Sequence, residues 1–234
     1  MAKHNVWMSV SDLMTGLMVI FLFVAVAYMI QVNESQTVLT DYVETKNKLH
    51  DKLVKGFKGD TLRWQMAIGK DLSMKFNNPT VLFAQGSSQL TPQFKEILDE
   101  FLPKYFDILL NDSLKKNIKE IRIEGHTDPI PYPSLDPDPY IANVILSQQR
   151  SLSVLRYFRN MPAFEKYTDK EKQLLEYWFT SNGLSYGKAL DSLGNYTILS
   201  ENPIDYQMSR RVEFRIITTG EEILENFVKG KDHE

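Results

Sequence analysis

Apolar positions change their rhythm twice along this chain. From Leu13 to Ile30 they run for 18 residues without a charge, long enough for a helix that crosses a membrane. Trp7 to Val10 extend the run by about a turn on the N-terminal side. From Gln31 to Phe57 the chain turns polar and helix-prone, with a loose apolar stripe at Val38, Tyr42, Leu49, Leu53 and Phe57, broken at Thr45 and Lys46. This predicts a helical stalk, either paired with a copy of itself or solvated as a linker, ending near Gly56, Gly59 and Asp60.

From about Thr61 the pattern becomes that of a compact α+β domain. Residues 80–83 read as a short strand closed by the Gly86-Ser87-Ser88 turn. A helix is expected from Pro92, with Thr91 as N-cap and an apolar face of Phe94, Ile97, Leu98, Phe101 and Leu102. Pro103 is expected to kink or end it. Residues 119–123 read as a second strand, from which Gly125-His126-Thr127-Asp128 emerges. Five prolines between Pro129 and Pro139 force an exposed loop. A long helix is expected over 140–159, burying Ile141, Ile145, Leu152 and Leu155, and another over 169–179. Residues 184–190 suggest a short strand and 191–207 a loop. Residues 211–218 form a final strand with Val212, Phe214 and Ile216 on one face, and 221–228 suggest a helical turn.

Strands and helices in this order predict a two-layer sandwich with helices on one sheet face. The expected organisation is a tail and membrane helix over 1–32, a stalk over 33–77, a folded domain over 78–219 and a C-terminal tail over 220–234. Lys3 and His4 precede the apolar run and Asn33 and Glu34 follow it. That asymmetry places the N-terminus in the cytoplasm and the domain across the membrane. A cleaved secretory signal is the competing reading, favoured by the small residues Ala25-Val26-Ala27. Against it, the run stays apolar through Tyr28, Met29 and Ile30.

Composition narrows the functions. A net charge of −3 gives no electrostatic footprint for nucleic acid. The absence of cysteine excludes disulfides, thiolate metal sites and a lipoprotein anchor. The 4 histidines show no zinc spacing, and no nucleophile or phosphate-loop motif is present, so neither an enzyme nor a cofactor is expected.

Two places carry candidate chemistry. Asp12, beside Met14 and Thr15, enters the apolar run as its one carboxylate. A charge at membrane depth costs a few kcal/mol, so such groups pair, face a bundle interior or carry ions; the alternative is a helix cap among Ser9, Ser11 and Asp12. Thr15 is placed to hydrogen-bond that carboxylate or a passing ion, or to bond back to its own helix. In the folded domain, Asn143, Ser147 and Arg150 share one helix face, set apart from the buried stripe. Asp128 at a strand end could meet them. An Asp and an Arg at one rim match a zwitterion's ammonium and carboxylate; a structural Asp–Arg bridge fits equally.

At these residues the chain resembles the OmpA-like peptidoglycan-binding domains. The resemblance runs through Phe83, Ser88 and Leu90, then Gly125 to Asp128, Asn143, Leu146-Ser147, Arg150, Tyr186-Gly187 and Ser209 to Glu213. It implies that Asp128 and Arg150 grip the diaminopimelate of a peptide stem, with Asn143 and Leu146 lining the same groove. The chain departs from the family in its long proline-rich loop and in Ser209, where the family has asparagine. The N-terminal stretch, Trp7 followed by Asp12-Leu13-Met14-Thr15 and a Met- and Phe-rich span, resembles the MotB-like stator subunits. That implies an ion-carrying Asp12, transport of H+ or Na+, a homodimer, a MotA/ZorA-like multi-span partner in the membrane and anchorage to peptidoglycan. The short chain and Leu13 are closest to the antiphage-defence branch of such units. A flagellar stator, or a wall tether without an ion path, are the alternatives.

Overall fold

The structure, a computed structural model, describes residues 2–221. It divides into two compact units, one holding the residues up to Glu44 and the other Thr45–Glu222. Helix α1 spans Ala2–Gly56. Its segment Val10–Asn33 is the one stretch among the described residues long and apolar enough to cross a membrane, and none of it is covered by the rest of the chain. Thr15, Thr37 and Thr40 each donate a hydroxyl to the carbonyl four residues back.

The second unit begins earlier than residue 78. Leu49, Leu53 and Phe57 lie on one helix face and are wholly buried in its core, so the lower part of the expected stalk belongs to the fold. A short helix α2 (Asp60–Arg63) follows, then strands β1 (Met66–Ile68) and β2 (Ser73–Phe76), neither of which the sequence pattern announced. Residues 79–82 form a single helical turn, α3 (Pro79–Leu82), instead of the expected strand. Pro79 fixes φ at the first helical position, and only Phe83 bridges outward, to Leu90. Helix α4 (Pro92–Leu109) starts where expected, with the Thr91 hydroxyl accepting from the Phe94 N–H at 3.0 Å. Pro103 does not end it. Tyr105, Phe106 and Leu109 beyond the proline are fully buried; at about 1.5–3 kcal/mol each, their burial outweighs a loss of about 3 kcal/mol at the proline.

Strand β3 (Ile118–Gly125), helix α5 (Pro139–Asn160), helix α6 (Asp169–Trp178) and strand β4 (Phe179–Gly183) come next. The strand expected over 184–190 is a loop, because Ser185 turns the chain with φ 51° directly after β4. Two helical turns, α7 (Thr197–Ser200) and α8 (Tyr206–Ser209), interrupt the next loop before β5 (Val212–Thr218). Of the helical turn expected over 221–228, all but Glu221 lies outside the described residues.

The five strands make one mixed sheet in the order β1-β2-β5-β3-β4, with β3 and β4 parallel and every other pair antiparallel. The architecture is α+β, with helices layered on one face as expected. Over β2 and β5 the layer is aromatic: Phe101 of α4 lies 5.1 Å from Phe76 and 5.0 Å from Phe214, ring centre to ring centre.

Over β3 and β4 the layer is different, and here the expected burial of α5 is corrected. Its inward residues are Ala142, Asn143, Leu146, Ser147, Arg150, Ser151, Val154 and Phe158. Ile141 is 42% exposed, and Ile145, Leu152 and Leu155 are half-buried. Backbone proximity explains the inversion. A Cβ on Gly125 would stand 2.2 Å from the Ser147 carbonyl oxygen, and one on Gly183 2.5 Å from the Gln148 nitrogen. Where the helix runs this close to the sheet, at Ser147 and Gln148, it has no room for a side chain on the strand beneath; Leu146, Val154 and Phe158 fill the space on either side.

Candidate functional site

The close approach of α5 to the sheet places Arg150 at the mouth of a cleft. The guanidinium is buried; its Nε donates to the Ser87 carbonyl at 3.0 Å, and its carbon lies 5.1 Å above the Phe83 ring. Burial pushes its pKa down to about 10. The cleft holds about 120 Å³ and is lined by α3, Phe83, Tyr132 from the proline-rich loop, Arg150, Arg210 and Arg211.

Asp128 ends the chain segment that leaves β3. His126 N–H donates to the Arg211 carbonyl at 3.0 Å and Thr127 N–H to the Ser185 carbonyl at 3.1 Å, which fixes this exit between β5 and the turn after β4. The Asp128 carboxylate is buried, with Oδ1 accepting from the Ile130 N–H at 3.0 Å and Oδ2 from Arg210 Nη1 at 3.0 Å. Asp128 and Arg150 are near enough to attract each other but form no bridge. The bridge expected at this rim therefore exists with a different arginine.

Asn143, Leu146 and Ser147 sit behind the cleft rather than on its wall. Asn143 Nδ2 donates to the Ile130 carbonyl at 2.9 Å, tying the start of the proline-rich loop to α5, and to the Pro139 carbonyl at 3.0 Å within the first turn of the helix itself. Leu146 is packed inward with 1% exposure, so it supports the groove without facing it. Ser147 accepts from the Ser185 N–H at 3.0 Å and holds the turn that meets Thr127. Ser209 hydrogen-bonds both the N–H and the carbonyl of Leu190, anchoring the long loop before β5.

Sequence reasoning missed Arg210, Tyr132 and Ser87. The doubled arginine was visible, but which of the two guanidiniums is left for the cleft depends on strand phase. Arg211 contributes to the lining, but its guanidinium is engaged on the sheet's other face, where Nε meets Glu213 at 2.6 Å and its two Nη atoms donate to the Ser209 and Lys188 carbonyls.

On that other face, Glu124, His126 and Glu213 are the only described group spaced for a metal ion. His126 is 1% exposed, with Nε2 3.7 Å from Glu124 and 3.6 Å from Glu213. Burial and then Arg211 hold its pKa well below the usual histidine range, so it is neutral at pH 7. Burial works to raise Glu213, but Arg211 and Lys75 hold it low. Arg211, Arg215 and Lys75 already balance these carboxylates, together with Asp71. A divalent ion would add uncompensated charge, and the residues present do not fit one.

In the other unit, Asp12 is exposed on α1, and Thr15 donates to the Ser11 carbonyl at 2.9 Å, the back-bonded alternative.

Comparison with known proteins bears on both units. The OmpA family matches residues 82–168. Zorya protein ZorB of Escherichia coli is 36% identical over 222 residues, spanning 92% of this chain and 88% of that protein. Among solved structures, a MotB-like protein from Desulfovibrio vulgaris is 21% identical, covers 76% of this chain and 98% of its own, and superposes with a TM-score of 0.49. The periplasmic domain of Helicobacter pylori MotB is 16% identical over 69% of this chain and 92% of its own, with a TM-score of 0.41.

Proposed function

This chain belongs to the family of Zorya protein ZorB, and we propose that it is the wall-anchoring, ion-carrying subunit of a Zorya-type membrane motor used in antiphage defence. The observation that carries the reading is Asp12, the one acidic or basic residue in Val10–Asn33, on a span that nothing in its own chain covers. A carboxylate there calls for another chain around it.

In this reading the chain is single-pass in the inner membrane, with its N-terminus cytoplasmic and its folded unit periplasmic. Two copies place two Asp12 side chains inside a multi-span partner of the MotA/ZorA type. An entering H+ or Na+ neutralises Asp12 and lowers its cost in the low-dielectric bundle; release on the cytoplasmic side restores the charge. Each charge that crosses 100 mV supplies about 2.3 kcal/mol, enough to bias a stepwise movement of the partner. The folded unit performs no chemistry. It grips peptidoglycan through the cleft that Arg150 lines together with Arg210, the bridge partner of the buried Asp128, and keeps the dimer from turning with its partner. The OmpA-family match spans Asp128, Asn143, Leu146 and Arg150, which supports this assignment.

A paired experiment tests both halves on the full chain co-expressed with its partner. Asp12→Asn is expected to abolish ion flux while the complex still co-purifies; retained flux ends the carrier role. Arg150→Ala is expected to lose co-sedimentation with sacculi, and unchanged sedimentation ends the wall-binding role.

A further inference from the structure

We propose that the hollow between α4 and α5, beside the cleft, is a second subsite that binds an oxyanion carried on the same wall polymer. The inference rests on the wall-binding reading above and adds a ligand group that the cleft does not hold.

The two depressions are neighbours by construction. The turn over 85–90 gives Gln85 to the cleft and Gln89 to the hollow, and α5 gives Arg150 to the one and Ser153, Arg156 and Tyr157 to the other. Arg156 follows Arg150 along the same helix by a rise of about 9 Å, which an extended chain spans in about three residues. The hollow holds about 340 Å³, against about 120 Å³ for the cleft.

Its lining carries two cations, Lys95 and Arg156, and no carboxylate. Other cations on the helical side are bridged: Arg159 to Glu176, Lys172 to Glu165 and Lys104 to Asp60. Among the described residues, no carboxylate comes within bridging distance of Lys95 or Arg156. Asp99, one turn along α4 from Lys95, is already engaged, accepting from the Tyr157 hydroxyl at 2.8 Å. Burial and that carboxylate push the Tyr157 pKa up to about 12, so the phenol stays neutral. Ser153 and Asn160 donate to carbonyls of their own helix. The hollow therefore offers a guest the Lys95 ammonium, the Arg156 guanidinium and the Gln89 amide.

A guest with several acceptor oxygens and a negative charge meets all three through charge-assisted bonds. An amine is repelled by two like charges. Both cations are exposed, so neither holds a free anion tightly. On a polymer already gripped at Arg150 the second contact forms within one complex, where weak contacts count. Two sources supply such oxyanions: the carboxylates of the peptide stem, and the phosphodiesters of a polymer attached to the wall.

The test is sedimentation of the full-length chain in detergent with two preparations of sacculi, one free of phosphate and one carrying a phosphodiester polymer. The double variant Lys95→Gln, Arg156→Gln is expected to bind about fivefold more weakly, with a shallower dependence on salt. Its thermal transition is expected to stay, because both side chains are exposed. Arg156→Lys, which keeps the charge, is expected to bind close to the wild type. The control Lys166→Gln, Lys170→Gln removes the same charge from exposed positions outside the hollow and is expected to bind as the wild type does. A loss on the phosphate-free preparation assigns the subsite to stem carboxylates, and a loss on the phosphodiester preparation alone assigns it to that polymer; either supports it. Equal binding of the wild type and Lys95→Gln, Arg156→Gln on both preparations overturns the subsite, as does an equal loss in the control, while wall binding stands. A wild-type chain that sediments with neither preparation overturns both.

Discussion

Helices α4 and α5 lie on the same sheet and are built on opposite terms. The inward face of α4 carries Phe94, Phe101 and Tyr105, wholly buried against rings from β2 and β5. The inward face of α5 carries Asn143, Ser147, Arg150 and Ser151, equally out of solvent but held by directed hydrogen bonds to Ile130, Pro139, Ser87 and Ser185. Apolar burial holds α4 in place without specifying direction. Hydrogen bonds to buried groups hold α5 and fix where each atom points. The cleft lies on the α5 side, where aim matters more than area.

The comparison breaks most visibly on the aromatic side. Phe101→Ala removes a ring that packs against Phe57, Phe76, Tyr105 and Phe214. It is expected to cost about 3–5 kcal/mol in chemical denaturation of the full chain. Sacculus binding under native conditions is expected to persist, because no group that lines the cleft moves. The reverse dissociation is expected at Gly125→Ala, whose new methyl would lie 2.2 Å from the Ser147 carbonyl. Overpacking of this kind costs about 1–3 kcal/mol. Lifting α5 also shifts Arg150, so sacculus binding should fall more than the loss of stability predicts.

The smallest effect concerns pH. His126, at the polar end of β3, resists protonation in the fold because it is buried. Below its unfolded value of about 6.5, the unfolded chain takes up a proton that the folded chain refuses, so stability falls as the solution is acidified. The slope for one such group is at most about 1.4 kcal/mol per pH unit. Thermal melts between about pH 7 and about pH 5 should show this loss in the wild type and a flatter profile in His126→Gln. Equal slopes would mean that other groups carry the dependence.

The same contrast explains what was legible in the sequence. Helix α4, its Thr91 cap and β5 could be read directly, because bulky apolar residues recur at the period of their element. The extent of α5 was equally clear, but its expected stripe was rotated from the buried face: Ile141 is exposed, and Ile145, Leu152 and Leu155 are half-buried. The buried face was chosen by Gly125 and Gly183, which lie on other elements and leave no mark on the helix itself. Strands β1 and β2 are 3 and 4 residues long, too short to establish alternation. Asp128 and Arg150 were read as a matched pair, but the bridge of Asp128 is to Arg210. That bridge depends on the turn at Ser209, and its partners stand 82 positions apart in the chain.

The proline-rich loop ends in fixed brackets. Asp128 receives the Ile130 N–H, Asn143 holds the Ile130 and Pro139 carbonyls, and Asp138 caps α5 by accepting from the Tyr140 N–H at 2.8 Å. None of these fastenings uses residues 131–137. Apart from Tyr132, which meets the Gly86 backbone, the interior of the loop is therefore an exchangeable cassette, open to insertion or replacement while the arginines behind it keep their positions. Tyr132 is the one cleft-lining residue inside it. A lineage, or a designer, could rewrite this stretch to change what passes over the cleft without renegotiating the fold.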